Sequence, residues 1–529
     1  MQNESKFPPT RWSVIDAVRS HDAGERQRAL ETLFAAYWKP VYKYVRVRWN
    51  RPAEDAQDLT QGFFAELLER ELLAKYDPGK SRLRTYLRVC VDSFVINEDK
   101  AVRRQKRGGN VFHVALDFAA AEGELDGVAI DAAAIPSPES LEEFFAKEWV
   151  RSLFTLAVED LKKLPAVELV SVVECAGNGR GFYEPPVPGL QWANGSVGNA
   201  RWRGVRLADV LKRAGIKDSA KEMLFDGADV PLGTMPDFQR SIPVKKALDS
   251  NTLLAYEMNG ETLPQKHGFP LRVVAPGWAS DSWTKWLTSI RVLDKEHDGF
   301  WMKSAYRHPG KPVAPGTAVP PEQMQPVTSL RVKSVIASPE DGVQVLPGQP
   351  FAIRGVAWAG DAGPVTTVEV SVDSGRTWKP AALDPGQRTQ FGWRQWEISW
   401  TPPQPAYYTI LARARDAAGN TQPFYQEWNP SGYGWNVVPR VGVDVVEKLS
   451  GSSPGQPSSI PAAQPPAAFR NACVSCHEED VIRQQRLTRP QWDREIKKMT
   501  GWGAQVKDED REGLLDYLLS NYGPRPRAR

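Results

Sequence analysis

Residues 169–180 read LVSVVECAGNGR, and this stretch decides how the centre of the chain folds. The apolar, β-branched run that opens it predicts a strand, and Gly177 and Gly179 predict a tight turn behind it. Cys175 would therefore stand at the end of a strand, where its thiol is accessible. A cysteine in that position is more often a small core residue, so the motifs farther along the chain have to separate the two interpretations.

Cations and aromatic residues follow in three short motifs. They are NARWRGVR at 199–206, HGFPLR at 267–272 and WTKW at 283–286. Arginine and lysine beside aromatic rings are the side chains that an anionic, phosphate-bearing ligand requires. The centre of the chain is therefore predicted to hold an anionic cofactor close to a cysteine.

The chain around this region changes character several times. At 529 residues it is too long for one hydrophobic core. Apolar residues recur at three and four positions over 12–159, which predicts helices, whereas short β-branched runs at 168–300 predict an α+β region. Alternation over 328–445 predicts a sandwich of many short strands. A Gly/Ser/Pro/Ala-rich linker at 450–468 leads to a small helical module at 469–523.

Composition excludes several classes of protein. Lys and Arg number 67 against 64 Asp and Glu, a net charge of +3, so no global field favours nucleic acid. The chain contains no run of 18 apolar residues, so no transmembrane helix is predicted. Four cysteines are too few for a disulfide scaffold, and residues 1–15 lack the pattern of a secretory signal.

Cys473-Val474-Ser475-Cys476-His477 is a C-x-x-C-H motif. Its two thiols are suited to thioether bonds with haem vinyl groups, and its histidine to binding the iron. A redox or half-zinc C-x-x-C is the alternative, but the chain has no second cysteine pair to complete a zinc site. Met499, at the end of an amphipathic helix, is the candidate sixth ligand, with a core-filling methionine as the alternative. The module resembles small bacterial c-type cytochromes.

Residues 158–445 resemble the sulfite oxidase family of molybdenum–pterin enzymes, from the cysteine motif through AYEMNG at 255–260 to the β-domain. The resemblance implies that Cys175 ligates molybdenum and that Arg180 lies at the anion pocket. It also implies that Tyr306, five residues after a tryptophan, donates a hydrogen bond near the oxo group being transferred. An ordinary interface tyrosine is the alternative at that position.

The same resemblance implies further contacts and partners. The sandwich is similar to the family's immunoglobulin-like dimerisation domain, which implies a homodimer. Molybdenum removes two electrons and a c-type haem accepts one at a time, so the two modules together describe a dehydrogenase that reduces an external cytochrome c. The residues implied to contact the pterin cofactor are Asp229, His267, Arg272, Trp283, Thr284 and Lys285, with Arg201 and Arg206 from the first cationic motif.

Residues 30–108 resemble region 2 of extracytoplasmic-function RNA polymerase sigma factors, in the segments 37–45, 54–64, 84–91 and 103–107. The resemblance implies that an acidic helix meets RNA polymerase and that a basic helix with Tyr86 and Phe94 meets promoter DNA. On charge alone, the basic cluster is equally typical of a solvated helix end. The second promoter-reading module of such factors has no counterpart in the sequence.

The predicted fold class is a multi-domain chain with an all-α segment, an N-terminally truncated α+β molybdopterin domain, an immunoglobulin-like β-sandwich and a small all-α cytochrome c domain. The predicted boundaries are 1–157, 158–325, 326–446, a linker at 447–468, and 469–529.

The predicted function is oxidation of sulfite, or a similar small oxyanion, with electron transfer through a covalent haem c. The alternatives are a transcription initiation protein with a non-catalytic C-terminal part, and a join of two partial reading frames. The haem predicts the periplasm, whereas the lack of a signal sequence favours the cytoplasm.

Overall fold

The computed structural model describes residues 12–101, 117–123, 138–231, 233–387, 389–449, 465–474, 479–483 and 485–524. Contacts divide the chain into two compact units, Met1–Lys163 and Leu164–Arg529. Within the described ranges, no helix has both the length and the apolar character needed to span a bilayer.

The N-terminal unit is helical, as predicted. Its core is formed by aromatic and aliphatic side chains such as Tyr42, Phe63 and Phe145. The predicted apolar stripe on the third helix is confirmed, because Phe63, Phe64 and Leu67 are buried there. The helices are α1 (Trp12–Val18), α2 (Ala23–Arg48), α3 (Ala53–Glu69), α4 (Leu83–Ala101), α5 (Phe118–Gly123) and α6 (Pro138–Lys162).

The predicted boundary at 157/158 is wrong, because it falls inside α6. This helix continues to Lys162, and the first strand begins at Ala166. Pro165 disfavours the helical conformation for the residue before it, so the helix ends shortly ahead of the proline, five residues after the predicted boundary.

Phe94 does not lie at a surface that could contact DNA. Its side chain is 6% exposed and packs 5.9 Å from the ring of Phe63, centroid to centroid. The apolar face of α4 carries it into the core, so this part of the sigma-factor interpretation is wrong. Tyr86 is half-buried, its hydroxyl donating to the Leu72 carbonyl at 2.7 Å, and the basic cluster at 103–107 lies outside the described residues.

The second unit begins with the α+β domain. Strands β1, β2, β5 and β6 form an antiparallel sheet in that order, with β7 beside β5, and β4, β3 and β8 form a second sheet. The predicted helix at 207–214 is confirmed. The elements are β1 (Ala166–Glu174), β2 (Val197–Arg206), α7 (Leu207–Ala214), β3 (Glu222–Gly227), β4 (Arg240–Pro243), α8 (Val244–Ala247), β5 (Leu253–Met258), β6 (Glu261–Thr262), β7 (Arg272–Val274), β8 (Leu287–Leu293), α9 (Phe300–Lys303), β9 (Arg307–Pro309) and β10 (Met324–Pro326).

A β-sandwich follows, as the alternation predicts. One sheet has the order β11-β13-β17-β16 and the other β12-β19-β18-β14-β15. Ile353, Val368, Trp396 and Ile410 fill the space between them. The strands are β11 (Lys333–Ser338), β12 (Val343–Val345), β13 (Phe351–Trp358), β14 (Val365–Ser371), β15 (Lys379–Pro380), β16 (Ala382–Leu383), β17 (Arg394–Trp400), β18 (Ala406–Asp416) and β19 (Arg440–Val445).

The C-terminal module is all-α over its described residues. Phe469, Trp492, Leu514 and Leu518 form its small core. Thr488 caps the helix Arg489–Gly501 with a capping box, in which the Gln491 side chain accepts from the Thr488 backbone N–H. The helices are α10 (Ala467–Ala472), α11 (Glu479–Arg483), α12 (Arg489–Gly501) and α13 (Asp508–Tyr522).

Candidate active site

Cys175 stands at the end of β1, in the tight turn that the sequence predicts. Its backbone N–H donates to the Ser196 carbonyl at 3.0 Å, and its carbonyl accepts from the Asn178 N–H at 2.9 Å. A Cβ atom at position 177 would lie 2.8 Å from the guanidinium of Arg180. Glycine is therefore needed at this position, because the turn folds Arg180 back against the cysteine loop.

Cys175 lines an open cavity, together with His308, Arg331 and Tyr433. Burial raises the pKa of the thiol, while the Gly177 N–H and the charge of Arg180 oppose the increase. The free thiol is thus protonated at neutral pH. Binding of a soft metal would displace that proton and convert the thiol into a thiolate ligand.

Arg180 is 8% exposed and bound by main-chain oxygens. Its Nε donates to the Ser431 carbonyl and its Nη1 to the Leu190 carbonyl, both at 3.1 Å. The guanidinium carbon lies 4.9 Å from the centre of the Tyr433 ring. Arg180 therefore lies behind Tyr433, and the arginine on the cavity lining is the exposed Arg331, which sequence reasoning missed.

Tyr306 joins this group from a different part of the domain. Its ring is stacked on that of Tyr433, with centroids 5.9 Å apart and planes 16° from parallel. Both rings pack against a small apolar cluster that includes Ala176, the residue after the cysteine. Burial raises the pKa of Tyr306 well above its usual range, and negative charge on Asp281 adds to the effect. Its hydroxyl therefore remains protonated and able to donate a hydrogen bond.

A buried ion pair supports Tyr306. Arg240 Nη2 lies 2.5 Å from Asp281 Oδ2, and both side chains are 1% exposed. The guanidinium carbon of Arg240 is 5.3 Å from the Tyr306 ring centre. Burial raises the pKa of Asp281 to about 6, and Arg240 opposes the increase. The second carboxylate oxygen, Oδ1, is buried without a hydrogen-bond partner, which is unusual unless a ligand supplies one.

Six of the predicted cofactor contacts lie in a second group, which we call the cationic cluster. At its centre, Arg272 is 4% exposed and donates to the carbonyls of His267, at 2.8 Å, and Trp283, at 3.1 Å. Burial lowers the pKa of Arg272 to about 10. Burial also lowers the pKa of Lys285 and of His267, and the charge of Arg272 lowers both further. The other members of the cluster lie around them. Asp229 interacts electrostatically with Lys285. The Thr284 hydroxyl is buried without a hydrogen-bond partner.

This arrangement fits the cofactor that the resemblance implies. Cys175 offers one soft thiolate beside the cavity. The cationic cluster offers positive charge and the unpartnered Thr284 hydroxyl, which suit a phosphate. The segment 281–285 links the two groups directly, because Asp281 belongs to the first and Trp283 to the second.

Arg201 and Arg206 do not join the cationic cluster. Arg201 is exposed and lies 3.6 Å from Glu168, while Arg206 Nε donates to the Ser250 carbonyl at 3.1 Å. The side chains of a strand alternate between its faces, and here the buried face carries Trp202, whose ring lies 4.9 Å from the Arg272 guanidinium carbon. The prediction of cofactor contacts for these two arginines is not supported by these positions.

Sequence reasoning also missed the residue that fixes the cysteine loop. Glu174 directly precedes Cys175, and its buried carboxylate accepts from Lys333 at 3.1 Å, Trp358 at 2.7 Å and Asn178 at 2.8 Å. A glutamate in an apolar strand indicates a buried partner, but the sequence does not show which of the distant lysines supplies it. The sequence did not identify Tyr433, Asp281 or Arg240 either, because their partners are also distant along the chain.

The haem motif lies only partly within the described residues. Cys473 is half-buried directly after α10, where it packs against the core of the module. Met499 is half-buried near the end of α12. Cys476 and His477 lie outside the described residues.

Comparison with known families agrees with this site. The oxidoreductase molybdopterin binding domain matches residues 143–301, and the Mo-co oxidoreductase dimerisation domain matches residues 324–446. Fold and site therefore define a molybdopterin-binding oxidoreductase domain followed by a dimerisation domain.

The relatives are more specific. Mitochondrial sulfite oxidase of Mus musculus is 37% identical over 305 residues, which are 55% of this chain and 55% of that protein. Sulfite oxidase of Arabidopsis thaliana is 32% identical over 301 residues, 52% of this chain and 76% of the relative. The crystal structure of the sulfane dehydrogenase SoxCD from Paracoccus pantotrophus matches with a TM-score of 0.47 and 27% identity, over 55% of this chain and 74% of that one. The chain belongs to the sulfite oxidase family, and it spans about half the length of the mitochondrial relatives that it matches.

Proposed function

We propose that the protein oxidises sulfite, or a small oxyanion like it, at a molybdenum–molybdopterin cofactor held by Cys175 and the cationic cluster. Sulfite and water give sulfate, two protons and two electrons, and the bound cofactor supplies the oxygen transfer and takes up the electron pair. The observation that carries the proposal is that Cys175 and Tyr433 line one open cavity, with Tyr306 stacked on Tyr433.

The side chains of this site have separate tasks. Arg331, on the cavity lining, attracts the anionic substrate. Tyr306 remains protonated and donates a hydrogen bond to a substrate oxygen. Asp281 holds Arg240 beside the Tyr306 ring. Arg180 packs on the Tyr433 ring, which is stacked on Tyr306. The two arginines thus position the tyrosines, while Arg180 also adds positive charge near the thiolate.

Electrons would leave through the C-terminal module. The proposal is that Cys473 and Cys476 bind haem c, with His477 and Met499 on the iron, and that an external cytochrome c accepts one electron at a time. The C-x-x-C-H spacing and the small helical core beside Cys473 support it. Covalent haem attachment favours a periplasmic location, and the dimerisation domain favours a homodimer.

The test uses the full chain, made with haem-maturation machinery and a supply of molybdenum cofactor. Cys175→Ser should abolish sulfite oxidation and lower the ratio of molybdenum to haem, while the haem spectrum stays unchanged. Cys90→Ser, a half-buried cysteine on α4, is the matched control and should change neither quantity. Normal molybdenum content and turnover in Cys175→Ser would show that this thiol is not the metal ligand.

A further inference from the structure

His308 reaches the cavity from a short pair of strands that follows Tyr306. Strands β9 and β10 pair antiparallel, with His308 opposite Gln325. Just beyond this pair, the Val327 N–H donates to the Tyr306 carbonyl at 2.8 Å. His308 is half-buried and lines the cavity together with Cys175. The paired strands therefore hold the backbone of His308 in a fixed position between Tyr306 and the cavity wall.

One hydrogen bond determines which ring nitrogen of His308 carries the proton. Nδ1 lies 2.9 Å from the Pro309 carbonyl oxygen, and because a carbonyl oxygen can only accept, Nδ1 is the protonated nitrogen. In a neutral imidazole the other nitrogen, Nε2, then carries a lone pair. Nε2 has no hydrogen-bond partner among the described residues, and it is not one of the atoms that are buried without a partner. The ring therefore offers an acceptor nitrogen to the open cavity.

The surroundings of His308 favour this neutral form. Burial lowers the pKa of the imidazole, the Pro309 carbonyl opposes the decrease, and the positive charge of Arg331 adds to it. The preceding residue, Arg307, is bound elsewhere, since its Nη1 donates to Glu296 at 2.6 Å. Strand β10, opposite His308, carries no titratable side chain. The other titratable side chains on the cavity lining are Glu174, Cys175, Lys333 and Tyr433. At neutral pH, Nε2 is therefore an acceptor.

Arg331 and Tyr433 complement His308 on the same lining. Arg331 is exposed, and within the described ranges its side chain forms no ion pair or hydrogen bond. It lies against the residue after Tyr433, because a Cβ atom on Gly434 would be 3.3 Å from the Arg331 Nε. Burial raises the pKa of Tyr433, so its hydroxyl remains a donor. The cavity thus offers an anion positive charge and a donor, together with one acceptor that only a hydroxyl of the ligand can satisfy.

We propose that His308 selects the hydroxyl-bearing form of the oxyanion, because Nε2 accepts a hydrogen bond from the hydroxyl of hydrogen sulfite while Arg331 pairs with its charge. This role rests on the proposed function. Hydrogen sulfite and water give sulfate, three protons and two electrons, and the bound cofactor takes up the electrons. His308 takes the proton of the hydroxyl and releases it to water through the open cavity, and the other two protons pass to water directly. An oxyanion without a hydroxyl would place only acceptor oxygens against the Nε2 lone pair, so it is disfavoured.

The test of this selectivity compares two anions of the same shape and charge. In mildly alkaline buffer, inorganic phosphate is mainly hydrogen phosphate, a dianion with one hydroxyl, whereas sulfate is a dianion with none. Calorimetric titration of the loaded, oxidised chain should show phosphate binding ~10-fold more tightly than sulfate, the effect of one unmatched hydrogen-bonding group. In His308→Gln, whose amide can donate or accept, the two affinities should come within about twofold of each other.

Two further variants separate the hydroxyl from the charge. His297→Gln removes another half-buried histidine whose pKa is lowered by burial, but His297 does not line the cavity, so the preference for phosphate should remain. Arg331→Met should weaken the binding of both anions alike, because Arg331 responds to charge and not to the hydroxyl. Equal binding of the two anions by the unmodified chain, or an unchanged preference in His308→Gln, would overturn the proposal.

The kinetics with sulfite provide an independent test. Above the pKa of hydrogen sulfite, the KM for total sulfite should rise roughly tenfold for each pH unit in the unmodified chain, because the hydroxyl-bearing form becomes scarcer by that factor. In His308→Gln the rise should be shallower, with kcat changed far less than KM, and an equally steep rise would contradict the proposal. Selective binding without sulfite oxidation would count against the proposed function and leave His308 as the residue that recognises the hydroxyl. Sulfite oxidation with equal binding of the two anions would overturn the role of His308 alone.

Discussion

Two buried arginines of the α+β domain have opposite surroundings. Arg240 is 1% exposed and lies 2.5 Å from the carboxylate of Asp281. Arg272 is 4% exposed, yet in the described part of the chain it contacts carbonyl oxygens and tryptophan rings, and no carboxylate. A buried cation that already has its anion is balanced in charge, whereas one that lacks an anion can bind a ligand that brings it.

The electrostatics of the two groups show the same difference. Burial lowers the pKa of Arg272 to about 10, and His267 and Lys285 are held near it with their pKa values lowered as well. Adding an anion would relieve this repulsion. Asp281 already supplies a negative charge to Arg240, and burial raises the pKa of the Asp281 carboxyl. The domain therefore tolerates unfavourable charge where the phosphate is expected and balances charge beside the substrate.

The largest effect should come from breaking the balanced pair. Arg240→Met leaves the Asp281 carboxylate buried without its partner, which we expect to cost about 3–5 kcal/mol in the free energy of unfolding. The double variant Arg240→Met/Asp281→Leu should recover most of that loss, since neither charge remains. Chemical unfolding followed by tryptophan fluorescence measures both.

A matched control lies in the N-terminal unit. Lys43 Nζ is 2.6 Å from Glu148 Oε2, with side chains 1% and 4% exposed. Lys43→Met should destabilise that unit by a similar amount and leave molybdenum content unchanged. If Arg240→Met were no less stable than the unmodified chain, the pair would not be what holds Tyr306 in place.

An intermediate effect is expected at Arg272, where cofactor affinity should fall and folding stability should not. Arg272→Met removes an unpaired buried charge, so the cofactor-free chain should unfold at no lower denaturant concentration than the unmodified chain. Affinity for the molybdenum cofactor should fall ~10–100-fold, the loss of a charged hydrogen bond of about 1.5–3 kcal/mol. Arg201→Met, at an exposed arginine outside the cationic cluster, should change neither property. A destabilised cofactor-free chain with full cofactor affinity would reverse the roles given to the two arginines.

The smallest effect on stability should come from a histidine that burial keeps neutral. Burial lowers the pKa of His308, on the cavity lining, below its ordinary value of about 6.5. When the pH falls from 7 towards 5.5, the unfolded chain takes up a proton that the folded chain resists, so stability is lost over that window.

His308→Gln should flatten this loss by less than about 1.4 kcal/mol for each unit by which the pKa is lowered. Thermal unfolding at a series of pH values provides the comparison, with the exposed His21→Gln as control. An identical slope in His308→Gln would mean that this histidine is not desolvated.

The sequence was informative wherever a motif lies within one short segment. The strand and turn at Cys175, the helix at 207–214 and the β-sandwich could be predicted because periodicity and turn residues are local properties. The position of Arg201 could not be predicted, since its motif is cationic but strand pairing decides which side chains face inward. Tyr433 could not be found, because its place beside Tyr306 depends on packing between residues more than a hundred positions apart.

The carboxylate of Glu174 has a consequence for how such chains can be recombined. Two of its three donors, Lys333 and Trp358, come from the β-sandwich, while the glutamate itself precedes the cysteine of the other domain. Removing the sandwich would leave a negative charge without two of its donors next to the thiol, which disfavours the thiolate that a metal needs. A gene rearrangement that separates the two domains would therefore damage the chemistry as well as the assembly, so the two can be inherited or engineered only as a single piece.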